Sequence, residues 1–174
     1  CSLTGSAHRL DKGLRKVFAK LGHALKEIPD WNCCGAFEYG DRKELAGFSK
    51  KNLEKARGHF SEIVAPCPAC YKNLKEADEE REFAVTHPLD LFDEAFFAAM
   101  KQARDLTGQV FTPYYGCILL RPKETAIRNT TVMEETIARF GGEVSGEAVK
   151  DRCCGGNQIV INKDVTEKLS RLVL

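Results

Sequence analysis

The chain has 174 residues, of which 43% are hydrophobic and 29% are charged, and this balance predicts a globular protein with a hydrophobic core. A formal net charge of +1 argues against a polybasic nucleic-acid-binding protein, and no apolar run approaches the roughly 20 residues of a membrane-spanning helix. We therefore expect a soluble, cytoplasmic protein. Because the first residue is Cys1 and the last residues are helix-like, we also expect a piece of a longer gene product.

Helix-like and strand-like stretches alternate along the chain, as judged from the spacing of apolar residues and from Gly and Pro stop signals. The predicted helices cover residues 7–22, 41–60, 67–78, 88–105, 122–140 and 162–174. The predicted strands cover residues 24–29, 61–66, 83–87, 109–115 and 142–146. This alternation predicts an α/β fold with mostly parallel sheets.

Two of the predicted helices carry more specific signals. Asn162 is a plausible N-cap for the last helix. The lysine-rich stretch 50–57 is interpreted as a solvated helix face. The residues of that second helix that are predicted to face the core are Leu45, Phe48, Leu53 and Ala56.

The sequence contains an internal repeat. "CSL" at 1–3 corresponds to "CIL" at 117–119, and "CCGA" at 33–36 corresponds to "CCGG" at 153–156. We interpret the chain as two related Rossmann-like halves, residues 1–108 and 109–174. The second half is expected to be truncated before a C-x-x-C pair of its own.

Of the eight cysteines, the five in the first half fall at predicted strand ends or helix starts, which a parallel α/β unit gathers at the carboxyl edge of its sheet. Cys67 is placed near a helix N-terminus, where the helix dipole lowers the pKa of a thiol and favours the thiolate that metals bind. The full set is Cys1, Cys33, Cys34, Cys67, Cys70, Cys117, Cys153 and Cys154.

Four kinds of chemistry fit cysteines in this number. Adjacent residues have Cα atoms about 3.8 Å apart, below the usual disulfide range, so a Cys33–Cys34 bridge would be strained, although disulfides to distant partners stay open. Zinc normally takes four ligands, and five cysteines leave one over. The "CPAC" at 67–70 also fits a thioredoxin-like dithiol, which leaves Cys33 and Cys34 without a role. An iron–sulfur cluster fits better, because it spreads several thiolates over several irons.

The glycine after each cysteine pair supports the iron–sulfur interpretation. Glycine has no Cβ, so it lets the backbone approach an inorganic sulfide closely or adopt positive φ. Backbone N–H groups close to the sulfurs would also tune the reduction potential.

The order of Cys1, the Cys33–Cys34–Gly35 triplet and the Cys67-x-x-Cys70 pair resembles the cysteine-rich CCG domain. Within that family, the flanking words "DWNCCGA", "PCPACYKNL" and "YYGCILLRP" look most like the catalytic subunit of heterodisulfide reductase. Relatives of this family also belong to succinate and fumarate reductase complexes and to glycolate or lactate oxidation.

The resemblance implies a function and a set of ligands. Each complete half would hold a noncubane [4Fe-4S] cluster through five cysteines, and the two clusters would divide a disulfide between them across a pocket. The implied substrate is the heterodisulfide of coenzyme M and coenzyme B from methanogenesis, with electrons from a ferredoxin-like iron–sulfur subunit and a flavin-containing subunit. The first cluster would take Cys1, Cys33, Cys34, Cys67 and Cys70, and the second Cys117, Cys153 and Cys154. The alternative is an electron-transfer module, or a structural iron–sulfur or zinc module, in a respiratory complex.

A few residues other than cysteine are weaker candidates. His8 would line the pocket or donate a proton, or it is an ordinary helix surface residue. Arg121 would bind an anionic group of a substrate through its guanidinium fork, or it forms a surface ion pair. Trp31 would shield a cluster or pack in the core, and Tyr114 and Tyr115 are placed beside Cys117.

Overall fold

The computed structural model describes residues 5, 7–35, 41–99, 105–159 and 161–174. Cys1 lies outside these residues, as does the 100–104 portion of the helix predicted over 88–105. Within the described chain, short helices alternate with four very short strands.

The first part of the chain contains most of the long helices. In chain order the elements are α1 (His8–Lys20), α2 (Arg42–Ala56), β1 (Glu62–Val64), α3 (Pro68–Ala77), β2 (Ala84–Thr86), a 3-10 helix (Pro88–Leu91) and α4 (Glu94–Ala99).

The second part is more irregular. Its elements are β3 (Val110–Phe111), α5 (Cys117–Leu120), α6 (Val132–Arg139), β4 (Glu143–Val144), two 3-10 helices (Glu147–Val149 and Gly156–Gln158) and α7 (Lys163–Ser170). The Oδ1 atom of Asn162 accepts a hydrogen bond from the backbone N–H of Val165 at 3.1 Å, so the predicted N-cap is confirmed.

The four described strands form two separate sheets, and both pairs are parallel, as predicted. β1 pairs with β2 so that Ile63 lies opposite Val85. β3 pairs with β4 so that Phe111 lies opposite Val144. The parallel α/β class is therefore confirmed, while the division into Rossmann-like halves stays a prediction.

Three of the predicted elements differ in the structure. The strand predicted over 24–29 is extended backbone without a strand partner among the described residues. The helix predicted over 122–140 begins only at Val132, because the Asn129 side chain accepts hydrogen bonds from the backbone and hydroxyl of Thr131 and so stabilises a turn. The helix predicted from Pro88 is interrupted where Asp93 accepts a hydrogen bond from the N–H of Phe96 and starts α4 anew.

One hydrophobic core extends across both parts of the chain. Leu53 and Ala56 face it as predicted, but Phe48 is 43% exposed, and Ser49 occupies the buried position beside it. The core residues are Leu53, Ala56, Ile63, Ala65, Tyr71, Leu74, Ala77, Phe83, Tyr115, Leu119, Ile127 and Val132.

Candidate functional site

Three cysteines that are distant in sequence meet at the start of α3. Cys67 is the N-cap of this helix, just beyond the carboxyl end of β1, and Cys70 lies in its first turn. The thiol of Cys70 interacts with the thiols of both Cys67 and Cys34. Cys34 is buried, and its neighbour Cys33 is exposed. The prediction that these segments come together is met for the described residues of the first group.

The contacts within this first group divide the thiols into an acidic and a weakly acidic partner. A hydrogen bond from the Cys70 thiol, together with backbone N–H groups at the start of α3, lowers the pKa of Cys67 from 9.0 to about 6, against the opposing effect of burial. The contacts of Cys70 with Cys34 and Cys67 raise its own pKa. Of these two thiols, Cys67 is the one more readily converted to the thiolate, and backbone N–H groups at the helix N-terminus contribute to this.

Polar side chains hold the Cys33–Cys34 segment in place. The carbonyl oxygen of Cys34 accepts hydrogen bonds from Ser49 Oγ at 3.1 Å and from Asn73 Nδ2 at 3.0 Å. Asn32 and Asn52 exchange two further hydrogen bonds of 2.8 Å between their backbone and side-chain groups. The sequence analysis did not identify Ser49, Asn52 and Asn73, because a polar residue within an amphipathic helix is normally predicted to lie on the surface.

The glycine after each cysteine pair is required by its backbone conformation. Gly35 and Gly155 both have a φ of +73°, which L-amino acids with a Cβ rarely adopt. A Cβ on Gly155 would also lie 2.9 Å from the Cα of Thr166. The sequence-based expectation of positive φ is therefore confirmed at both positions.

The second group contains Cys117, Cys153 and Cys154. Cys117 begins α5, and its thiol contacts that of Cys153, while burial raises its pKa. The backbone N–H of Gly155 donates to Cys153 Sγ at 3.4 Å, which is the kind of contact expected to tune a metal-bound sulfur. Cys153 and Cys154 are exposed, so this group is more open than the first.

Tyr114 lies directly beside the second group. Its hydroxyl donates to the backbone carbonyl of Arg152 at 2.8 Å and also contacts the Cys154 thiol. Burial, followed by this thiol contact, raises the pKa of Tyr114 to about 12, so it acts as a neutral hydrogen-bond donor. The predicted placement of Tyr114 near the cysteines is confirmed.

The second pair is held by contacts of the same type as the first. Ser170 Oγ donates to the carbonyl of Cys154 at 3.0 Å, as Ser49 Oγ does to the carbonyl of Cys34. Thr166 Oγ1 adds a bond of 2.9 Å to the carbonyl of Gly155. In each part, a helix hydroxyl 15 or 16 residues beyond the second cysteine of the pair fixes its backbone.

One cysteine of each group, Cys70 and Cys117, lies on a helix, and these two helices, α3 and α5, pack against each other. A cleft of about 560 Å³ lies between the glycine after the first pair and the start of α5. Its lining is rich in ammonium and amide groups, which include Lys43, Lys50, Lys72, Asn73 and Asn157. Lys50 and Lys72 are paired with acidic residues at 2.8 and 2.9 Å.

The structure separates the remaining candidates from the cysteines or gives them other partners. His8 is exposed, and its Nδ1 lies 3.2 Å from the carbonyl oxygen of Gly5. Arg121 forms a surface ion pair with Asp151 at 2.9 Å, the alternative considered for it above. Trp31 is 36% exposed and donates to Glu27, so it is not a core residue.

Tyr115, predicted beside Cys117, turns the other way. It is buried, donates its hydroxyl hydrogen to Glu134, and accepts a hydrogen bond from the N–H of Met133 at 2.8 Å. Lys150 pairs with the same carboxylate at 2.7 Å. Tyr115 therefore anchors α6 to the core and does not line the cysteine site.

The described residues also limit what the site is. None of their seven cysteines forms a disulfide, which removes the disulfide framework as an account of these residues. Among them no group of three His, Cys, Asp or Glu side chains is arranged to hold a single metal ion. The thiols of Cys34 and Cys67 nevertheless each contact the thiol of Cys70, so three thiols from two distant segments are close together. The helices described are all too short or too polar to cross a bilayer.

Two comparisons with known proteins bear on this site. A subunit from Wolinella succinogenes, named the membrane anchor subunit of 8-methylmenaquinol:fumarate reductase, is 23% identical over an alignment of 183 positions that covers 89% of this chain. The chain spans 64% of the length of that relative. Residues 1–75 match the family model described as the cysteine-rich domain, CCG, and this range includes all five cysteines assigned above to the first group. The resemblance to the CCG family is therefore confirmed over residues 1–75.

Proposed function

We propose that the chain is the cluster-bearing subunit of an oxidoreductase complex and that its cysteines hold iron–sulfur clusters. The observation that carries this proposal is that thiols contact one another within each group, Cys70 with Cys34 and Cys67, and Cys117 with Cys153. Cys70 and Cys117 lie on two helices that pack together, α3 and α5. Sites built from thiols alone are typical of iron–sulfur centres, and the matched CCG family supports the same chemistry.

The first cluster would be held by Cys33, Cys34, Cys67 and Cys70, with Cys1 as the fifth ligand. The donor chemistry fits, because the pKa of Cys67 is lowered to about 6 and thiolates are the form that binds iron. A noncubane [4Fe-4S] cluster supplies one-electron transfer when it is bound. The chain itself orients the ligands, through the hydrogen bonds to the Cys34 carbonyl, and shields Cys34 from water.

The second cluster would be held by Cys117, Cys153 and Cys154. Three thiolates leave irons of a four-iron cluster without protein ligands, so we propose that its remaining ligands lie outside the 174 residues. The matching hydroxyl contacts of Ser49 and Ser170 support the division of the chain into two Rossmann-like halves, residues 1–108 and 109–174.

Reduction of a disulfide is the finer form of this proposal. The cleft of about 560 Å³ is lined by residues that neighbour cysteines of both groups, Gly35, Ala69 and Ile118. Glu76 and Glu79 in the same lining pair with Lys72 and Lys50, so Lys43 is the lysine that would bind a carboxylate, sulfonate or phosphate group of a disulfide. Two electrons and two protons would convert the disulfide into two thiols as its S–S bond breaks. The electrons would come from partner subunits, a ferredoxin-like iron–sulfur subunit and a flavin-containing one, with the complex facing the cytoplasm.

A second candidate is favoured by the comparison with Wolinella succinogenes. That relative is named as a subunit of a fumarate reductase, so a role in carrying electrons within a respiratory complex fits this chain without any disulfide substrate. In this case the cleft would have no substrate, and the methanogenesis substrate would not apply.

The ligand assignment is tested by iron content. Cys34→Ala is expected to remove most of the iron bound per chain, because it deletes a buried ligand of the first group. Cys153→Ala, at an exposed ligand of the second and less complete group, is expected to change iron content little. Both variants are purified anaerobically and assayed for iron and acid-labile sulfide. Equal losses would contradict the assignment, because they would show one shared site.

Spectroscopy separates the two candidate functions. Zinc without acid-labile sulfide in the purified chain would contradict any iron–sulfur role. If the chain reduces disulfides, an oxidised sample should change its paramagnetic spectrum when a thiol is added, and Lys43→Met should weaken that response to an anionic thiol more than to a neutral one. A paramagnetic spectrum that does not change when thiol is added would favour a role in electron transfer without disulfide reduction.

A further inference from the structure

A second, larger cleft of about 980 Å³ lies away from the cysteines. The extended segment 23–28 borders it, and so do all three residues of β1. The side chains of Leu14, Phe18 and Leu21 from α1 also line it. The apolar face of α1 therefore covers this cleft, and segment 23–28 and β1 border it.

The extended segment beside this cleft has no strand partner among the described residues; the carbonyl of Leu25 accepts a hydrogen bond from the Arg15 side chain at 3.0 Å. Within the described chain, residues 24–28 make no hydrogen bond from backbone to backbone, and the sheet that contains β1 ends at β1, since β2 is its one described partner. Unpaired strand edges beside an apolar space are the usual template for an added strand.

The second part of the chain shows what fills the equivalent place. Gly22 lies two residues beyond the end of α1, and Gly141 lies two residues beyond the end of α6. Both glycines have a φ of +82°, and the N–H of each donates to the carbonyl three residues back. The segment after Gly141 forms β4, whose partner β3 leads into Cys117. The segment after Gly22 has no such partner among the described residues, and by the internal repeat its partner would lead into Cys1.

We propose that the larger cleft receives an added β-strand that runs parallel to β1 and leads into Cys1, supplied by residues ahead of Cys1 in a longer form of this chain. The relative, of which this chain spans 64%, has the additional length for such a segment. The strand would join segment 23–28 to β1 and β2, and make one parallel sheet of four strands beneath α1.

The repeat also fixes the register. Val110 lies seven residues ahead of Cys117 and pairs with Glu143, whose counterpart after the helix end is Ala24. In β4 the N–H groups of Glu143 and Ser145 donate to β3 at 2.9 and 2.8 Å. The N–H groups of Ala24 and Lys26 should therefore donate to the added strand, and the N–H of Leu25 should not.

The test extends the full chain with the residues that precede Cys117. The eight residues "QVFTPYYG", copied from 109–116, are fused ahead of Cys1, and a control carries the same eight with Pro in place of the Val and Asp in place of the Phe. Residue-resolved hydrogen exchange and thermal unfolding are measured on both. The extension should slow exchange at Ala24 and Lys26 by at least about tenfold, leave Leu25 fast, and raise the melting temperature. The control should do neither.

A proline variant makes the test independent of general effects of a longer chain. Lys26→Pro removes the donor that the added strand needs. In the chain as given it should leave the melting temperature unchanged, because the Lys26 N–H makes no backbone hydrogen bond there. In the extended chain it should abolish the gain. Unchanged exchange on extension, equal slowing with the control, or a gain that survives Lys26→Pro would overturn the proposal.

Discussion

The replacement of Gly155 by Ala tests whether the second cysteine pair depends on close packing against α7. At a φ of +73° a Cβ costs about 1–2 kcal/mol by itself. The new Cβ would also lie 2.9 Å from the Cα of Thr166, so the helix backbone must move. That movement would weaken the bond from Thr166 Oγ1 to the Gly155 carbonyl, worth about 1 kcal/mol. We expect a loss of about 3 kcal/mol.

Gly58→Ala is the matched control. Gly58 has a φ of +77°, but no atom lies within 4 Å of a Cβ built there, so it carries the backbone cost alone. Urea unfolding in the presence of a chelator compares the two without any contribution from bound metal. With a slope of about 2 kcal/mol per molar urea, the midpoint should fall by about 1.5 M for Gly155→Ala and by about half as much for Gly58→Ala. Equal shifts would refute the close-packing argument.

Three further predictions concern groups outside the cysteine site. Burial lowers the pKa of His87 below 6.5, so the stability that its neutral form contributes is present above about pH 6.5 and is lost as the pH falls below that value. His87→Gln should therefore reduce the pH dependence of the unfolding free energy between about pH 7 and pH 5. An unchanged pH dependence would contradict this. Tyr115→Phe removes the partner of the Met133 N–H and of Glu134 Oε2, while Lys150 still pairs with Oε1. Denaturant unfolding should therefore show a loss of about 1–2 kcal/mol, and a neutral result would count against the role of Tyr115 as an anchor. Arg57→Leu removes an exposed ion pair with Glu82, and the urea midpoint should stay unchanged; a clear fall would mean that this pair stabilises the fold.

The placement of the cysteines was predictable because it depends on chain order and on strand–helix alternation alone. In a parallel unit, a residue just past a strand reaches the carboxyl edge whatever the details of packing, so Cys67 is found at a helix start as expected. Cys117, which follows a predicted strand, begins the short helix α5, which was not predicted. The positive φ of the glycine after each cysteine pair was also predictable, because a glycine that follows Cys-Cys at two places in the chain indicates a conformational requirement.

The contacts that hold the pairs were not predictable. Ser49 was overlooked because Phe48 is the more hydrophobic neighbour, yet the helix turns Ser49 inward to reach the Cys34 carbonyl. The helix predicted from residue 122 failed for a related reason, because the turn around Asn129 depends on side-chain hydrogen bonds that apolar spacing does not reveal. Residues 24–29 have the sequence of a strand, but pairing needs a neighbour, and the described chain offers none.

The contacts around α3 imply that the first cysteine group is an all-or-none assembly. Cys67 and Cys70 belong to the first turn of this helix, and Asn73, one turn further, holds the carbonyl of Cys34. A local opening that unravels the start of α3 would therefore release thiols from two distant segments in the same event. Any metal bound there should be lost cooperatively, with one rate, and partly liganded forms should not accumulate during its release.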